Sequence, residues 1–309
     1  RADAGVTNAF LVGGLEPAEQ RQDYTDAIET AVRQVTAAAR AQPADGAVLA
    51  DLSVAIQAYT SDVEVARANN RQGLPVGAQY LRNASSGLRE VAVPQLAALI
   101  DTNGARVESE IATARSATWL LVSALTGVAA LGRAVMGLAE RPPGYLNLPM
   151  ALAGVLLLGY LVLATAATSD VATTARDTRN DAFTAAQRLA EARIAAFDAK
   201  ANESLTLIAR GSGAAFEEAW QESSATTVAA LGSGTVDRRA GSLGEAWQAY
   251  AELHADLRAA DDGGDWEGAV ALATARGEGT ANAAFARFDE ESLTALETAS
   301  RQTTDALDR

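Results

Sequence analysis

Hydrophobic residues recur at intervals of three and four along most of the chain, which is the spacing of residues on one face of an α-helix. Four stripes with this spacing are Leu52, Ile56, Tyr59 and Val63; Leu81, Ala84, Leu88 and Val91; Phe183, Ala186, Ala190, Ile194 and Phe197; and Phe285, Phe288, Ser292 and Leu296. Runs of β-branched residues are missing between them, which favours helices over strands. The pattern predicts an all-α fold in which these stripes form bundle cores.

Glycine and proline residues interrupt the helical pattern at regular points. In the first third of the chain, helix breaks are predicted at 13–17, 43–46 and 69–75, and Pro94 is expected to kink the helix that follows. In the last third, breaks are predicted at 211–213, 232–241 and 261–265, with a single helix from there to the C terminus. Each of these two regions is therefore predicted to be an antiparallel four-helix bundle.

The two regions resemble repeats of one unit. When the chain is shifted by 191 residues without a gap, 10 of the 28 residues from Gln57 to Ala84 meet an identical residue. The matched positions include the triplet Gln57-Ala58-Tyr59 with Gln248-Ala249-Tyr250, Arg67 with Arg258, and Gly77 with Gly268. We therefore predict that the two bundles superpose, with Tyr59 and Tyr250 at equivalent places.

Two long uncharged segments lie between the predicted bundles. Residues 142–169 contain no charged side chain over 28 positions, and residues 116–132 contain none over 17. A helix that crosses a bilayer needs about 20 apolar residues, so a transmembrane hairpin in contact with membrane lipid is predicted at 116–169. A pair of buried core helices in a soluble protein is the alternative.

The short connection at 140–148 fixes the topology of this hairpin. It forces the two spans to be antiparallel, so both flanking regions lie on one side of the membrane. Arg133 and Arg141 outnumber Glu140 near the connection, and positive charge favours the cytoplasmic side. We expect a multi-pass protein of the plasma membrane with two extracytoplasmic bundles, at 1–115 and 170–309, joined by the hairpin.

The chain has a net charge of −14 and no cysteine, which argues against a nucleic-acid partner and excludes thiolate chemistry. His254 is the only histidine, so no catalytic triad or transition-metal site is expected and a structural role is favoured. The acidic turn at 261–265 lacks the spacing of an EF-hand, and residues 198–204 are expected to form a solvated helix face, with partner contact as the alternative. We predict a non-enzymatic protein without a cofactor.

Four stretches, at 8–18, 66–81, 198–204 and 285–289, carry a resemblance to a known family. They include Gly13-Gly14-Leu15-Glu16-Pro17 and the segment from Arg67 to Tyr80. The chain is similar to the actinobacterial four-span membrane sensors of the protein kinase G amino-acid-sensing pathway (GlnX type). The resemblance implies a relay between an extracytoplasmic lipoprotein that binds aspartate, glutamate or glutamine and a cytosolic Ser/Thr protein kinase.

The loops at the membrane-distal tips of the two bundles are the predicted partner-binding surface, because exposed loops vary without disturbing a core. The residues proposed for it are Asn70, Arg71, Gln72 and Gly73 at one tip and Asp261, Asp262 and Asp265 at the other. Two alternatives stay open: a small-molecule-binding bundle of a chemoreceptor or histidine-kinase type receptor, and a structural scaffold.

Overall fold

The computed structural model describes residues 1–72, 75–114, 181–237 and 241–307, together with single helical positions at 127 and 133. The regular structure in these ranges is helical and includes no strand, which confirms the all-α prediction. The predicted transmembrane hairpin at 116–169 lies almost entirely outside the described residues and stays a prediction. Within the described ranges, no helix combines the length and the apolar character needed to cross a membrane.

The first region contains five α-helices with breaks where the sequence predicts them. They are α1 (Ala2–Val12), α2 (Ala18–Ala41), α3 (Gly46–Arg71), α4 (Val76–Gly87) and α5 (Val93–Ala114), with a 3₁₀ turn at Pro43–Asp45. Gly13 and Gly14 have φ values of +71° and +68°, which side-chain-bearing residues rarely adopt, and this conformation separates α1 from α2.

Pro94 disturbs the helix as predicted, and the disturbance takes the form of a π-helical segment at Leu88–Ala92. Proline has no N–H group, so the carbonyl group four residues before it loses its α-helical partner. The π-helical segment directly precedes α5 and carries Arg89.

The second region begins, in the described part, with a helix over residues 181–208, here named α6. It continues with α7 (Ala214–Leu231), α8 (Gly234–Asp237), α9 (Ser242–Asp262), α10 (Trp266–Thr274) and α11 (Ala281–Leu307). The predicted break at 211–213 is confirmed, and the one at 261–265 begins after Asp262, where α9 ends. The predicted break at 232–241 contains the short helix α8, and its residues 238–240 lie outside the described residues.

The prediction of a single helix after residue 265 is wrong, because the chain breaks between α10 and α11. Gly277 and Gly279 have φ values of +102° and +77° in this connection. The side chain of Asn282 donates hydrogen bonds to the carbonyl groups of Ala273 and Ala275 at 2.9 and 3.0 Å. These bonds satisfy carbonyl groups at the end of α10 and hold the start of α11 beside it.

The predicted core stripes are only partly correct. Phe285, Phe288 and Ser292 of α11 are buried as predicted, whereas Val91 is 45% exposed. In α6 the predicted stripe is only half-buried, and the fully buried stripe is Ala182, Ala185, Leu189, Ala192, Ala196 and Ala199. Alanine gives α6 several apolar faces, so the sequence spacing alone does not identify the face that packs most tightly.

Residues 1–100 and 181–309 form one compact unit, and residues 101–180 form another, of which the structure describes mainly the end of α5. Within the first unit, Leu11 of α1 packs in a cluster with Leu207, Leu257 and Ala269. Asn8 Nδ2 also donates a hydrogen bond to the carbonyl oxygen of Ala273 at 2.9 Å. The described parts of both predicted bundles therefore share a core, and their arrangement as separate tandem domains stays a prediction.

Candidate functional site

The most unusual feature of the described chain is a charged cluster in its interior, centred on Glu203 of α6. Glu203 is fully buried. One carboxylate oxygen accepts a hydrogen bond from Lys200 Nζ at 2.5 Å. The other accepts one from the Tyr250 hydroxyl group at 2.9 Å and lies 3.0 Å from His254 Nδ1. A buried carboxylate is stable only when such partners replace its hydration.

The helical periodicity of α6 and α9 assembles this cluster. Lys200 and Glu203 are separated by three residues, and Tyr250 and His254 by four, so each pair shares one face of its helix. The imidazole ring of His254 stacks on Trp220 of α7, with ring centroids 3.7 Å apart and planes inclined by 10°. Three helices therefore hold the cluster in one geometry.

His254 lies between two carboxylates. Its Nε2 atom is 3.3 Å from an oxygen of Glu217, and the same oxygen is 3.3 Å from Arg258 Nε. Burial alone would lower the pKa of His254, but the hydrogen bonds to Glu203 and Glu217 outweigh burial and raise this pKa above its ordinary value of 6.5. The protonated imidazolium is therefore favoured inside the fold.

Glu203 shifts in the opposite direction. Burial alone would raise the pKa of its carboxyl group, but the charges and hydrogen bonds of Lys200 and His254 outweigh burial and lower the pKa to about 2. Burial and the neighbouring negative charge of Glu203 raise the pKa of Tyr250 well above 10. The carboxylate thus stays ionised and the phenol neutral across the physiological range.

This cluster corrects the expectation that residues 198–204 form a solvated face. Lys200, Asn202, Glu203 and Ser204 are all buried, and so is His254. The available sequence signal was the placement of the single lysine of the chain three residues before a glutamate, in an alanine- and leucine-rich helix. Nothing local indicated that Tyr250 and His254, some fifty positions away, would neutralise the pair.

A chain of polar contacts extends from this helix to the first region, and we call it the polar seam. Arg89 Nε contacts a carboxylate oxygen of Asp198, whose other oxygen accepts a hydrogen bond from Ser223 Oγ at 2.7 Å. Arg89 also lies 3.6 Å from Asp3, which accepts a hydrogen bond from Ser85 Oγ at 2.6 Å. The seam thus links α1, α4 and the π-helical segment to α6 and α7.

The predicted tip loops of the first region do come together. Gly14, Leu15 and Glu16 share the lining of a small cavity of about 60 Å³ with Asn70 and Arg71. The Gln72 side chain turns back to donate a hydrogen bond to the Ala68 carbonyl group at 3.2 Å, and Gly73 lies outside the described residues. Arg71 is exposed, and so is Leu15 at 80%.

The three aspartates of the second tip are engaged within their own turn. Asp261 binds Arg258 at 2.6 Å, and Asp262 binds the same guanidinium group. Asp265 accepts a hydrogen bond from the Gly268 amide group at 2.9 Å and caps α10. Asp262 and Asp265 are exposed and accessible to a partner, whereas Asp261 is half-buried.

The arrangement is suited to fixing helix positions. Glu203 and His254 are the acid and base candidates; both are buried and contact each other, and Glu203 is also bound by Lys200 and Tyr250. In the parts of the chain that the structure describes, no group of acidic or histidine side chains is arranged to hold a metal ion.

Comparison with known proteins gives one match. No curated protein and no solved structure matches the chain. Residues 1–112, which comprise α1 to α4 and nearly all of α5, match the family model described as the actinobacterial sensor domain. This match supports the sensor part of the resemblance seen in the sequence and indicates an actinobacterial sensor domain over residues 1–112.

Proposed function

We propose that this chain is a non-enzymatic sensor that transmits a signal by changing how its sensor domain packs against residues 181–307. The observation that carries the proposal is the polar seam, because it ties the matched sensor domain to helices outside the match. A packed interface of this kind has discrete arrangements and does not deform continuously, so a small change at one end can shift the balance between two states.

The seam suits a switch because its charges are paired but not fully sealed. The side chains of Arg89 and Asp198 are 22% and 28% exposed, so water can hydrate them when they separate. The cluster around Glu203 is sealed, and separating its charges would leave them without partners at a much higher cost. We therefore expect motion along the seam, with α6 and α9 moving as a rigid body.

The proposed input is an extracytoplasmic amino-acid-binding lipoprotein that docks on the tip loops. Leu15 and Val12 are apolar and exposed beside the exposed cation Arg71, a combination common at protein interfaces. The proposed output is a cytosolic Ser/Thr protein kinase, reached through the predicted transmembrane hairpin. The family resemblance supports both partners and the location in the plasma membrane.

The absence of cysteine makes a direct test possible. Glu19 and Arg276 form an exposed ion pair at 2.7 Å between α2 and the connection before α11. Both can be replaced by cysteine and joined with a short bismaleimide. The matched control joins Arg21 to Glu64, an exposed ion pair at 3.1 Å within the first region, which leaves the two regions unlinked.

Two strains of an actinobacterial host are compared, one that contains the chain and one that lacks it. Amino acids are added to both, and Ser/Thr phosphorylation of cytosolic proteins is measured. The response should require the chain, be lost when Glu19→Cys and Arg276→Cys are joined, and persist when Arg21→Cys and Glu64→Cys are joined. A response that survives the first cross-link contradicts the packing mechanism, and a response independent of the chain contradicts the coupling to a kinase.

A further inference from the structure

A second feature of the sensor domain is an open groove of about 400 Å³ between α3 and α4, here called the α3–α4 groove. Its lining runs from Asp51 to Asp62 on α3, and from Asn83 to Gln95 across α4, the π-helical segment and the start of α5. Among the described residues that line it, none belongs to the tip loops or to the polar seam. The proposed relay therefore does not account for this groove.

Small residues form much of the groove lining. Ala55 and Ala58 contribute from α3, and Ala84 and Gly87 contribute from α4. A Cβ atom built on Gly87 would meet no other atom within 4 Å, so the space in front of it is open. Helices pack more closely where the side chains at their contact are small. The groove thus has room for the backbone of a further helix to approach.

Exposed apolar side chains border the same groove. Val54, which is 65% exposed, and Val91, which the sequence stripe assigned to the core, both line it. Beyond the lining, Val65 continues this face of α3 at spacings of three and four, and Val76 and Tyr80 continue the facing side of α4. All three are exposed. A contiguous apolar surface of this kind marks an interaction site.

The charge of the groove is negative and uncompensated. Asp51 and Asp62 are the charged residues among the described residues that line it, and neither has an ion-pair partner there. They are 11 residues apart, which is close to three helical turns, so they lie on the same side of α3 about 16 Å from each other. One carboxylate therefore stands near each end of the α3 wall.

This charge pattern discriminates between possible occupants. A second copy of the chain, docked on the same face about a two-fold axis, would bring four carboxylates together without a cation from either groove. An anionic lipid surface would be repelled in the same way. A helix with an apolar face and basic residues beside it complements both the apolar lining and the two carboxylates.

We propose that the α3–α4 groove binds an amphipathic helix of a partner protein, with two basic residues placed beside Asp51 and Asp62. A docked helix that runs nearly parallel or antiparallel to α3 has the same rise per residue. Its two basic residues are therefore expected at the spacing of the two aspartates, with apolar residues between them at spacings of three and four. This inference does not depend on the proposed relay.

Fluorescence anisotropy with a labelled synthetic peptide tests the proposal. The probe is an alanine-based helical peptide of about five turns, with two lysines at the spacing of Asp51 and Asp62 and leucines between them. A second peptide carries glutamates in place of the lysines. The purified full chain should bind the lysine peptide at low salt and bind the glutamate peptide about tenfold more weakly, because two attractive contacts become repulsive. Detergent without the chain gives the blank.

A double charge reversal locates the binding. Asp51→Lys combined with Asp62→Lys should reverse the preference, so that the glutamate peptide binds more tightly than the lysine peptide. Asp23→Lys combined with Asp26→Lys is the matched control, because both are exposed aspartates of α2 outside the groove and the net charge changes equally. This control should keep the preference for the lysine peptide.

A change in the apolar border separates docking from general attraction between charges. Val54→Ser should weaken binding of the lysine peptide by about fivefold, since less apolar surface is buried. Val32→Ser is the matched control, because Val32 is an exposed valine of α2 that does not line the groove. A helical circular dichroism spectrum confirms that each variant folds.

Four results overturn the proposal. The lysine peptide does not bind, the double reversal leaves the preference unchanged, or Val54→Ser and Val32→Ser have equal effects. The fourth is a dimer of the chain, detected by sedimentation, that Val54→Ser dissociates, because it would assign the groove to a second copy. None of these results bears on the cross-linking test, so the relay stands or falls separately.

Discussion

The helix pairs α3–α4 and α9–α10 place the same residue types at corresponding sequence positions and use them differently. Tyr59 and Tyr250 are both buried, and each precedes its tip turn by the same number of residues. The Tyr250 hydroxyl group donates to Glu203 and accepts from Trp220 Nε1 at 3.3 Å, whereas the Tyr59 hydroxyl group is buried close to the carboxylate of Asp3. The superposition of the two regions stays a prediction, but the two tyrosines have different polar partners.

The matched arginines show the same contrast. Arg67 stacks over the Tyr24 ring at 4.1 Å and binds Glu16 and Glu64 at 2.7 and 2.8 Å. Arg258 has no such aromatic contact among the described residues and binds Glu217 together with the aspartates of its own turn. The matched arginines thus have different partners: Arg67 joins α3 to the turn before α2 and to the Tyr24 ring, whereas Arg258 joins α9 to Glu217 of α7 and to its own turn.

The largest expected effect is the loss of the carboxylate at the centre of the second region. Glu203→Gln should lower the free energy of unfolding by about 3–5 kcal/mol, because it leaves Lys200 buried without a counter-charge and His254 with Glu217 alone. Denaturant unfolding of the full chain, followed by tryptophan fluorescence, measures the change. Asp3→Asn in the sensor domain is the comparison and should cost only about 1 kcal/mol, since Ser85 keeps an acceptor there. Equal costs would remove the distinction between the two cores.

The next largest change in the free energy of unfolding is expected at Gly77 and Gly268, which occupy matched positions in the two regions. A Cβ atom on Gly77 would lie 2.9 Å from the backbone nitrogen of Asn70 and 3.0 Å from the Ala66 carbonyl oxygen. Gly77→Ala should therefore cost about 1–3 kcal/mol, because two backbone segments must separate. A Cβ atom on Gly268 would instead meet the Asp265 side chain. That side chain can rotate away, but it then loses its capping hydrogen bond to the start of α10, so Gly268→Ala should cost about 1 kcal/mol. The same unfolding assay compares them, and a neutral Gly77→Ala variant would show that the first turn is not tightly packed.

The third effect is a dependence of stability on pH that arises in the second region. The folded pKa of His254 is raised above 6.5, so its contribution is complete below pH 6.5 and is lost as the pH rises through the folded value. The folded pKa of Glu203 is lowered to about 2 from 4.5, so its contribution is lost as the pH falls from 4.5 towards 2. From these two groups, we expect maximal stability between about pH 4.5 and 6.5.

As the pH rises, the unmodified chain should lose about 1.4 kcal/mol of its free energy of unfolding for each unit by which the folded pKa of His254 exceeds 6.5. His254→Gln should remove this loss and flatten the alkaline side of the profile. Unfolding measured across the pH range provides the test. An unchanged alkaline limb in His254→Gln would assign the dependence to other groups.

The smallest expected effect concerns the tip loops, where a substitution should weaken docking of the partner without changing the stability of the fold. Arg71→Glu should leave the unfolding midpoint unchanged and weaken partner docking by at most about fivefold, as for other exposed charges. The second-tip comparison is Asp262→Lys, which also loses its contact with Arg258 and should be slightly destabilised. Binding isotherms of both variants with the extracytoplasmic amino-acid-binding lipoprotein, recorded at low salt, measure the change in docking. If neither changes docking, the partner does not use the tips.

Most helix boundaries in the described chain could be predicted from sequence, because glycine and proline act locally through backbone geometry. The breaks at 13–17, 69–75 and 211–213 depend on such residues and are confirmed. The break before α11 carries the same signal in Gly277 and Gly279, although the helical pattern on both sides obscures it. The core of α11 was also predictable, since its large aromatic residues mark one face unambiguously.

The candidate sites were decided by tertiary structure. A lysine–glutamate pair on a helix is ordinarily solvated, and Glu203 is buried only because Tyr250 and His254 arrive from α9 to replace water. An open cavity of about 410 Å³ likewise exists because α1 and α2 face α6 and α11, a neighbourhood that no local pattern encodes. Sequence thus determined where the helices begin and end, through backbone conformational preferences. Only the packing of distant helices decided which charges became buried, because the energy of a charge depends on what surrounds it in space.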